Sequence, residues 1–243
     1  MKSLQLICIL TLVVCATNAQ FNDTVKHYIR FASTGVINNT NNAKSYVLNN
    51  GLNFNAQQKH VNYNTFFSWI YGAQQNVLTN NDFNAAANID INKHIHKLYY
   101  WGLLNFDKSY SLNITYRVQV GAGIAYTFID SPYLKINLSD GFLYERGNLI
   151  DAEIGKNVYQ VPRNSLRLTY HYTILNKVEI DGAHFYQPSL LSIKDYIIQS
   201  NSTVSVKLNQ WLSISGTFVY NVVSQTQRNN LLFTYGLTAE KYF

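Results

Sequence analysis

Cysteine is almost missing from this sequence. The 243 residues hold two, Cys8 and Cys15, and both lie in the first apolar run. The rest of the chain therefore offers no disulfide framework, no thiol nucleophile and no thiolate metal site. Charge is also scarce. Asp, Glu, Lys and Arg make up 13% of the residues, about half the globular norm of roughly 25%. Proline occurs 3 times and glycine 12 times, which excludes collagen-like and Pro/Gly-rich low-complexity chains. A hydrophobic share of 47% excludes charge-driven disorder. Long apolar runs are absent too. The longest, Leu4 to Ala16, falls short of the about 20 residues that a spanning helix needs. The formal charge of +6 is spread along the chain. It suits anionic headgroups and is too diffuse to argue for nucleic acid.

Met1-Lys2-Ser3, the apolar run and Thr17-Asn18-Ala19 have the three regions of a secretory signal. The expected cleavage follows Ala19, leaving residues 20–243 as one domain. Val14 precedes Cys15, where lipoprotein processing wants a small side chain, so lipid attachment is not expected.

What the sequence has in quantity is aromatic residues, 19 Tyr and 13 Phe, and alternation. Tyr116, Val118, Val120, Ala122, Ile124, Tyr126 and Phe128 share one parity. Arg117, Gln119, Gly121, Gly123, Ala125 and Thr127 fill the other. A strand sends these two sets to opposite faces, whereas a helix would mix them. The same holds for Leu134–Leu138, Leu166–Ile174, Leu212–Val222 and, more loosely, Leu231–Ala239. Short turns fit at Gln57-Gln58, Asn92-Lys93, Asp130-Ser131-Pro132, Leu175-Asn176 and Asn209-Gln210. Longer polar loops fit at Asn38 to Asn42, Gln75 to Asn81, Asp107 to Asn113, Arg146 to Pro162, Pro188 to Lys194 and Ser224 to Asn230. Short turns on one side and long loops on the other describe an all-β, closed antiparallel up-and-down transmembrane β-barrel of about 12 strands. Lipid cannot satisfy backbone N–H or C=O groups, so such strands must close without an edge.

Period two alone does not say which face is oily. A secreted soluble β-barrel binding an apolar ligand alternates as well, with its greasy face inward. Three features favour the membrane version. Charge is low. Tyr126, Phe128, Tyr172 and Phe243 sit near strand ends, where interfacial girdles belong. The opposite face is polar or small.

One block carries a family resemblance. It runs Arg117-Val118-Gln119-Val120-Gly121-Ala122-Gly123-Ile124-Ala125-Tyr126, then Phe128-Ile129-Asp130, then Leu134 to Gly141 and Tyr144-Glu145. This Gly-x-Gly strand, Ile-Asp turn and Leu-rich strand ending in Tyr-Glu resembles the salt-induced outer-membrane protein family, a domain-of-unknown-function family of barrels. The likeness extends over most of residues 45 to 243. It implies an outer-membrane barrel and brings no catalytic residue or substrate. The closing segment, with Tyr235, Leu237, Ala239 and Phe243, is similar to the signal read by the barrel-assembly machinery. Lys241 departs from it where an aromatic is commoner.

Parity places Arg117, Gln119, Lys135, Glu145, Arg167, His171, Glu179, Asp181, Asp195, Lys207 and Glu240 on the lumen side. Such groups either tune what passes through a pore or neutralise one another and fill the interior. Both signs fall on neighbouring strands, which favours the second. Arg117 and Glu145 are expected at different heights and are not read as a pair. His94-x-His96 places two imidazoles on one strand face, but no Cys or carboxylate is near, so a polar pair at headgroup level is expected rather than a metal site. Ser165 and His171 are about 20 Å apart along a strand, out of reach for catalysis. No G-x-S-x-G, H-E-x-x-H or P-loop occurs. Gly121-x-Gly123 is mid-strand and reads as relief of crowding. No cofactor is expected, and no enzyme; a barrel enzyme acting on lipid or peptide is the alternative. The expected partners are outer-membrane lipids and lipopolysaccharide, the barrel-assembly machinery and small solutes.

Overall fold

The computed structural model describes residues 26–40, 44–93 and 96–243. The expected signal segment, residues 1–19, lies outside them. The strands are β1 (His27–Asn39), β2 (Lys44–Gln57), β3 (Val61–Gln74), β4 (Val77–Ile91), β5 (Leu98–Ser109), β6 (Ile114–Asp130) and β7 (Leu134–Asp151). They continue with β8 (Gly155–Asn164), β9 (Leu166–Ile174), β10 (Val178–Pro188), β11 (Tyr196–Lys207), β12 (Leu212–Val223) and β13 (Arg228–Tyr242). A 3-10 turn, Ser224–Thr226, links β12 and β13.

Each strand pairs antiparallel with its sequence neighbours, except that β8 and β9 do not pair with each other, and β1 pairs with β13 to close the sheet. β9 pairs with Leu134–Ser139 of β7, and β8 pairs with Phe142–Asp151 of the same strand. Only Ser165 separates β8 from β9, so the two form one interrupted stave. The barrel therefore has twelve staves. At the interruption Asn164 turns outward and donates from Nδ2 to Asp140 Oδ1 at 2.7 Å.

The oily side faces out. On β6, Val120 and Phe128 are each 53% exposed, while Arg117 and Gln119 on the other face are each 1% exposed. Leu168, Phe218, Leu231 and Phe233 point outward with them, and Ser213, Ser215, Thr234 and Thr238 are buried inside. A soluble barrel around an apolar ligand requires the reverse. Aromatic rings collect at both rims. Tyr126 and Phe128 meet edge-on at 5.0 Å near the short turns, and Trp69 and Tyr71 meet at 5.7 Å near the loops. Tyr172 and Phe243 are exposed at the short-turn rim. Among the described residues no helix is long and apolar enough to cross a membrane; the crossing elements are strands.

Four of the five short turns join neighbouring staves at one end of the barrel; the fifth, expected at Asn92-Lys93, falls in a longer connection, residues 92–97, of which 94 and 95 lie outside the described residues. At the other end several connections are tighter than the polar composition suggests. Gln75–Asn81 reduces to the pair Gln75-Asn76, both left-handed at φ 50° and 65°. Two consecutive left-handed residues match the twist of a hairpin. Arg146–Pro162 is not a loop. β7 runs on to Asp151 and returns as β8 from Gly155, in register throughout. Past the hydrocarbon the outer face no longer needs apolar side chains, so the oily signature fades while backbone pairing continues. Tyr159, Val161 and Arg163 keep the inward parity through this hairpin. Pro162 lacks an N–H but accepts from Leu190 N at 2.9 Å.

Candidate functional site: a lidded polar chamber

The inward faces enclose a chamber of about 530 Å³. Its wall toward β5–β7 is partly filled. Tyr99, Trp101, Ala125 and Leu143 form a small apolar cluster inside the barrel. The Trp101 indole lies over Gly123 and Gly141, which face each other across β6 and β7. A Cβ at either glycine would strike both the indole and backbone, so the Gly-x-Gly pattern does relieve crowding. Arg167 stacks over Trp101 and Phe185, at 5.5 and 6.0 Å, and donates from Nε to Ser139 at 3.0 Å.

Toward the loop end lies a polar network with a buried centre, Arg117, Gln119, Glu145 and Arg163. Arg117 grips Asp107 with Nε and Nη2, at 3.0 and 2.9 Å. Glu145 accepts from Arg163 Nη2 at 3.0 Å, Tyr159 OH at 2.7 Å and Gln119 Nε2 at 2.6 Å. Gln119 also donates to Gln187 Oε1 at 3.0 Å and accepts from Asn105 at 3.1 Å. Arg163 extends past Glu145 to Asp195 on the β10–β11 loop, at 2.9 Å. Burial pushes the Asp195 carboxyl above the usual range, against the pull of Arg163.

Toward the short turns lies a second network. Arg30 on β1 reaches past three staves to Asp181 on β10, at 3.2 Å, and touches Ser205 at 3.2 Å. Lys207 meets Glu179 at 2.6 Å and Glu240 at 3.8 Å, and Tyr28 donates to Glu240 at 3.1 Å. His171 Nδ1 lies 2.7 Å from Asp181 Oδ1, and its Nε2 lies 3.1 Å from Thr173 Oγ1. That chain has the order nucleophile, base, orienting carboxylate. It differs from a free triad in that Asp181 is shared with the Arg30 guanidinium.

The loop-side mouth is strapped over. Counted around the barrel, the β5–β6 turn and the β12–β13 turn lie half a circumference apart. Yet Leu112 and Ile114 pack on Val223 in one buried cluster, and Asn230 Nδ2 donates to Ser111 Oγ at 3.1 Å. From the β7–β8 tip, Ala152 N donates to Gln225 O at 3.1 Å, and Gln225 Nε2 reaches Asp195 Oδ2 at 3.1 Å. Chords of this kind are possible only if the turns fold inward over the opening.

Of the residues placed inward by parity, Arg117, Gln119 and Glu145 stand in the loop-end network, joined there by Asp195. His171, Glu179, Asp181, Lys207 and Glu240 stand in the short-turn network, and Arg167 lies between the two. Arg117 and Glu145 are not bonded to each other; each has its own partner. Lys135 departs from the lumen reading. Its side chain is 55% exposed on the short-turn rim, paired with Asp130 at 3.4 Å, because its place at the start of β7 lets the long chain reach water. Tyr235, Leu237 and Phe243 are exposed on the outer face and end of β13. His94 lies outside the described residues. Arg30, Asp107 and Arg163 were missed from sequence. Asp107 opened a segment read as a loop, and Arg163 stood directly after one that ended at Pro162; Arg30 was legible from the alternation Tyr28, Arg30, Ala32, Thr34.

Two solved structures share this architecture. The translocator domain of autotransporter NalP from Neisseria meningitidis matches at 10% identity, over 90% of this chain and 89% of that one, with a TM-score of 0.52. The NanC porin matches at 10% identity, over 89% of this chain and 99% of that one, with a TM-score of 0.54. At such identity the likeness is one of fold, that of an outer-membrane-type barrel. No curated protein matches the sequence. The family model described as "Protein of unknown function, DUF481" matches residues 32–239. The chain belongs to the DUF481 family. In DUF481 terms, the matched span takes in the loop-end network, the strap and part of every stave, and it includes the 117–145 block, while Tyr28, Arg30 and Glu240 of the short-turn network lie just outside it.

Proposed function

We propose that this DUF481 protein is an integral protein of the bacterial outer membrane and a narrow passive channel for small hydrophilic solutes. The observation that carries the reading is the polar chamber of about 530 Å³ inside a wall whose outer face is apolar. A barrel with only a structural role has no need of a hollow centre. The strap makes the resting state closed on the loop side. It is held by a few hydrogen bonds, each contributing about 0.5–1.5 kcal/mol, and by one small apolar cluster, so thermal opening is within reach. The 117–145 block supports the finer placement among salt-induced outer-membrane proteins, with a role in envelope stress. Export by a cleaved signal, contact with outer-membrane lipids and lipopolysaccharide, and assembly through Tyr235, Leu237 and Phe243 go with this reading. The test is single-channel recording of refolded protein in planar bilayers. Small, brief current steps are expected, becoming larger and longer when Asp151–Gly155 is replaced by Asn-Gly. Silence from both proteins would overturn the channel reading.

One observation favours a second reading, a barrel hydrolase acting on lipid or peptide. It is the Thr173–His171–Asp181 chain near the short-turn rim. This reading requires turnover of phospholipid, lipopolysaccharide or peptide that is abolished by Thr173→Val and by His171→Ala.

A further inference from the structure

The charges around the chamber are largely matched. Arg30 faces Asp181 and Arg117 faces Asp107. Arg167, Lys108 and Asp82 remain; Lys108 is exposed on the outward parity of β5, which leaves Arg167 and Asp82, one of each sign. Arg167 is engaged by Ser139 and two aromatic rings, and Asp82 accepts from Ser109 and Ser111. The chamber therefore presents almost no net charge to a solute.

Its amides are different. Asn49, Asn88, Gln199, Asn201 and Asn221 all line the chamber, from β2, β4, β11 and β12. Among the described residues none of their side-chain amides bonds to another protein group. Each offers two donors and a carbonyl acceptor to whatever fills the space. Asn88 and Asn201 stand on staves half a circumference apart, and so do Phe66 and Phe185. Two aromatic rings on opposite walls, with unspent amides between them, provide apolar platforms flanked by neutral donors and acceptors. Hydroxyl groups with C–H faces between them match that lining. An ion would lose its hydration and meet only Arg167 or Asp82, each already engaged by neighbouring groups.

We propose that the chamber is a binding site for an uncharged polyhydroxylated solute of mono- or disaccharide size. The volume is within the roughly 300–1,000 Å³ of small-molecule pockets. The proposal rests on the channel reading for how the solute arrives, and on the lining alone for what is bound.

The experiment is titration calorimetry on the whole refolded protein in an amine-oxide detergent, which carries no sugar. The probes are glucose and maltose, against glucuronate and glucosamine as charged counterparts of glucose. Saturable heat is expected with the uncharged probes, with affinity at least tenfold weaker for the charged ones. Asn88→Leu/Asn201→Leu and, separately, Phe185→Ala should each weaken maltose binding at least tenfold, while an unchanged heat-induced gel shift reports an intact barrel. Equal or tighter binding of a charged probe, no heat with any probe, or unaltered binding by both folded variants would overturn the proposal. Bilayer recordings separate the two readings. Heat without current steps removes the channel and keeps the site. Steps that maltose neither blocks nor shortens, with no heat, remove the site and keep the channel.

Discussion

Arg163 is the joint on which the loop-end network turns, and replacing it by Met tests the account of that network most sharply. Its side chain is 1% exposed and binds Glu145, whose side chain is wholly buried, together with Asp195. Arg163→Met keeps most of the volume and removes the cation. Glu145 is then left with two neutral donors, Gln119 and Tyr159, at 2.6 and 2.7 Å. Removing one partner of a buried pair costs about 3–5 kcal/mol, because the remaining charge stays desolvated. At about 1.4 kcal/mol per decade, the unfolding equilibrium should shift by two to three and a half orders of magnitude. Urea unfolding in micelles, followed by the fluorescence of the three tryptophans, reads this directly. Adding Glu145→Gln removes the stranded charge and should recover more than half of the loss. A cost below about 1 kcal/mol for Arg163→Met, or no recovery on adding Glu145→Gln, would mean that Glu145 is solvated or neutral, and the network as described would be wrong.

Orientation is tested by Val120→Arg, which should cost about 2–4 kcal/mol near the midplane and impair membrane insertion, whereas Thr127→Arg, inside the lumen, should be milder. Equal damage from the two, measured by urea midpoint and membrane recovery, would contradict the assignment of faces. The strap is tested by Ala152→Cys/Gln225→Cys, in a protein whose own two cysteines lie at positions 8 and 15. Oxidation should silence the bilayer steps and dithiothreitol restore them; steps unaffected by oxidation would place the pathway elsewhere. Acid tests Asp195. The strapped state buries this carboxyl and raises its pKa, so that state binds the proton more tightly than an opened one with Asp195 in water. Linkage then favours closure as pH falls from neutral into the window between the raised value and the ordinary value of about 3.9. Open probability should drop over that window in the parent protein, and the drop should shrink in Asp195→Asn.

Much of this protein could be read along the chain, because a strand reports its two faces at every second residue. The inward parity of Arg117, Gln119, Glu145, Arg167 and Asp181 needed no knowledge of their partners. Neither did the outward parity of Val120, Ile124 and Phe218. The count of twelve staves followed from the turns, since a two-sided connection pattern in a closed sheet leaves little choice. The sequence failed where its signal depends on solvent. Beyond the hydrocarbon both faces of a strand can be polar, so the β7–β8 hairpin looked like a loop and Arg163, directly after Pro162, was given no face. Lys135 was given the right parity and the wrong environment, because parity carries no height.

Tertiary structure alone decided the distances across the lumen. Closure brings β1 within reach of β10, so that Arg30 meets Asp181 over 151 positions of sequence. It also brings Ser111 to Asn230 over the mouth. Local pattern cannot carry such contacts, because they depend on the circumference of the ring and on how far its turns fold in. The alternation made a barrel with a polar lining; only the closed geometry determined which charges cancel, which amides are left over, and that the chamber has a lid.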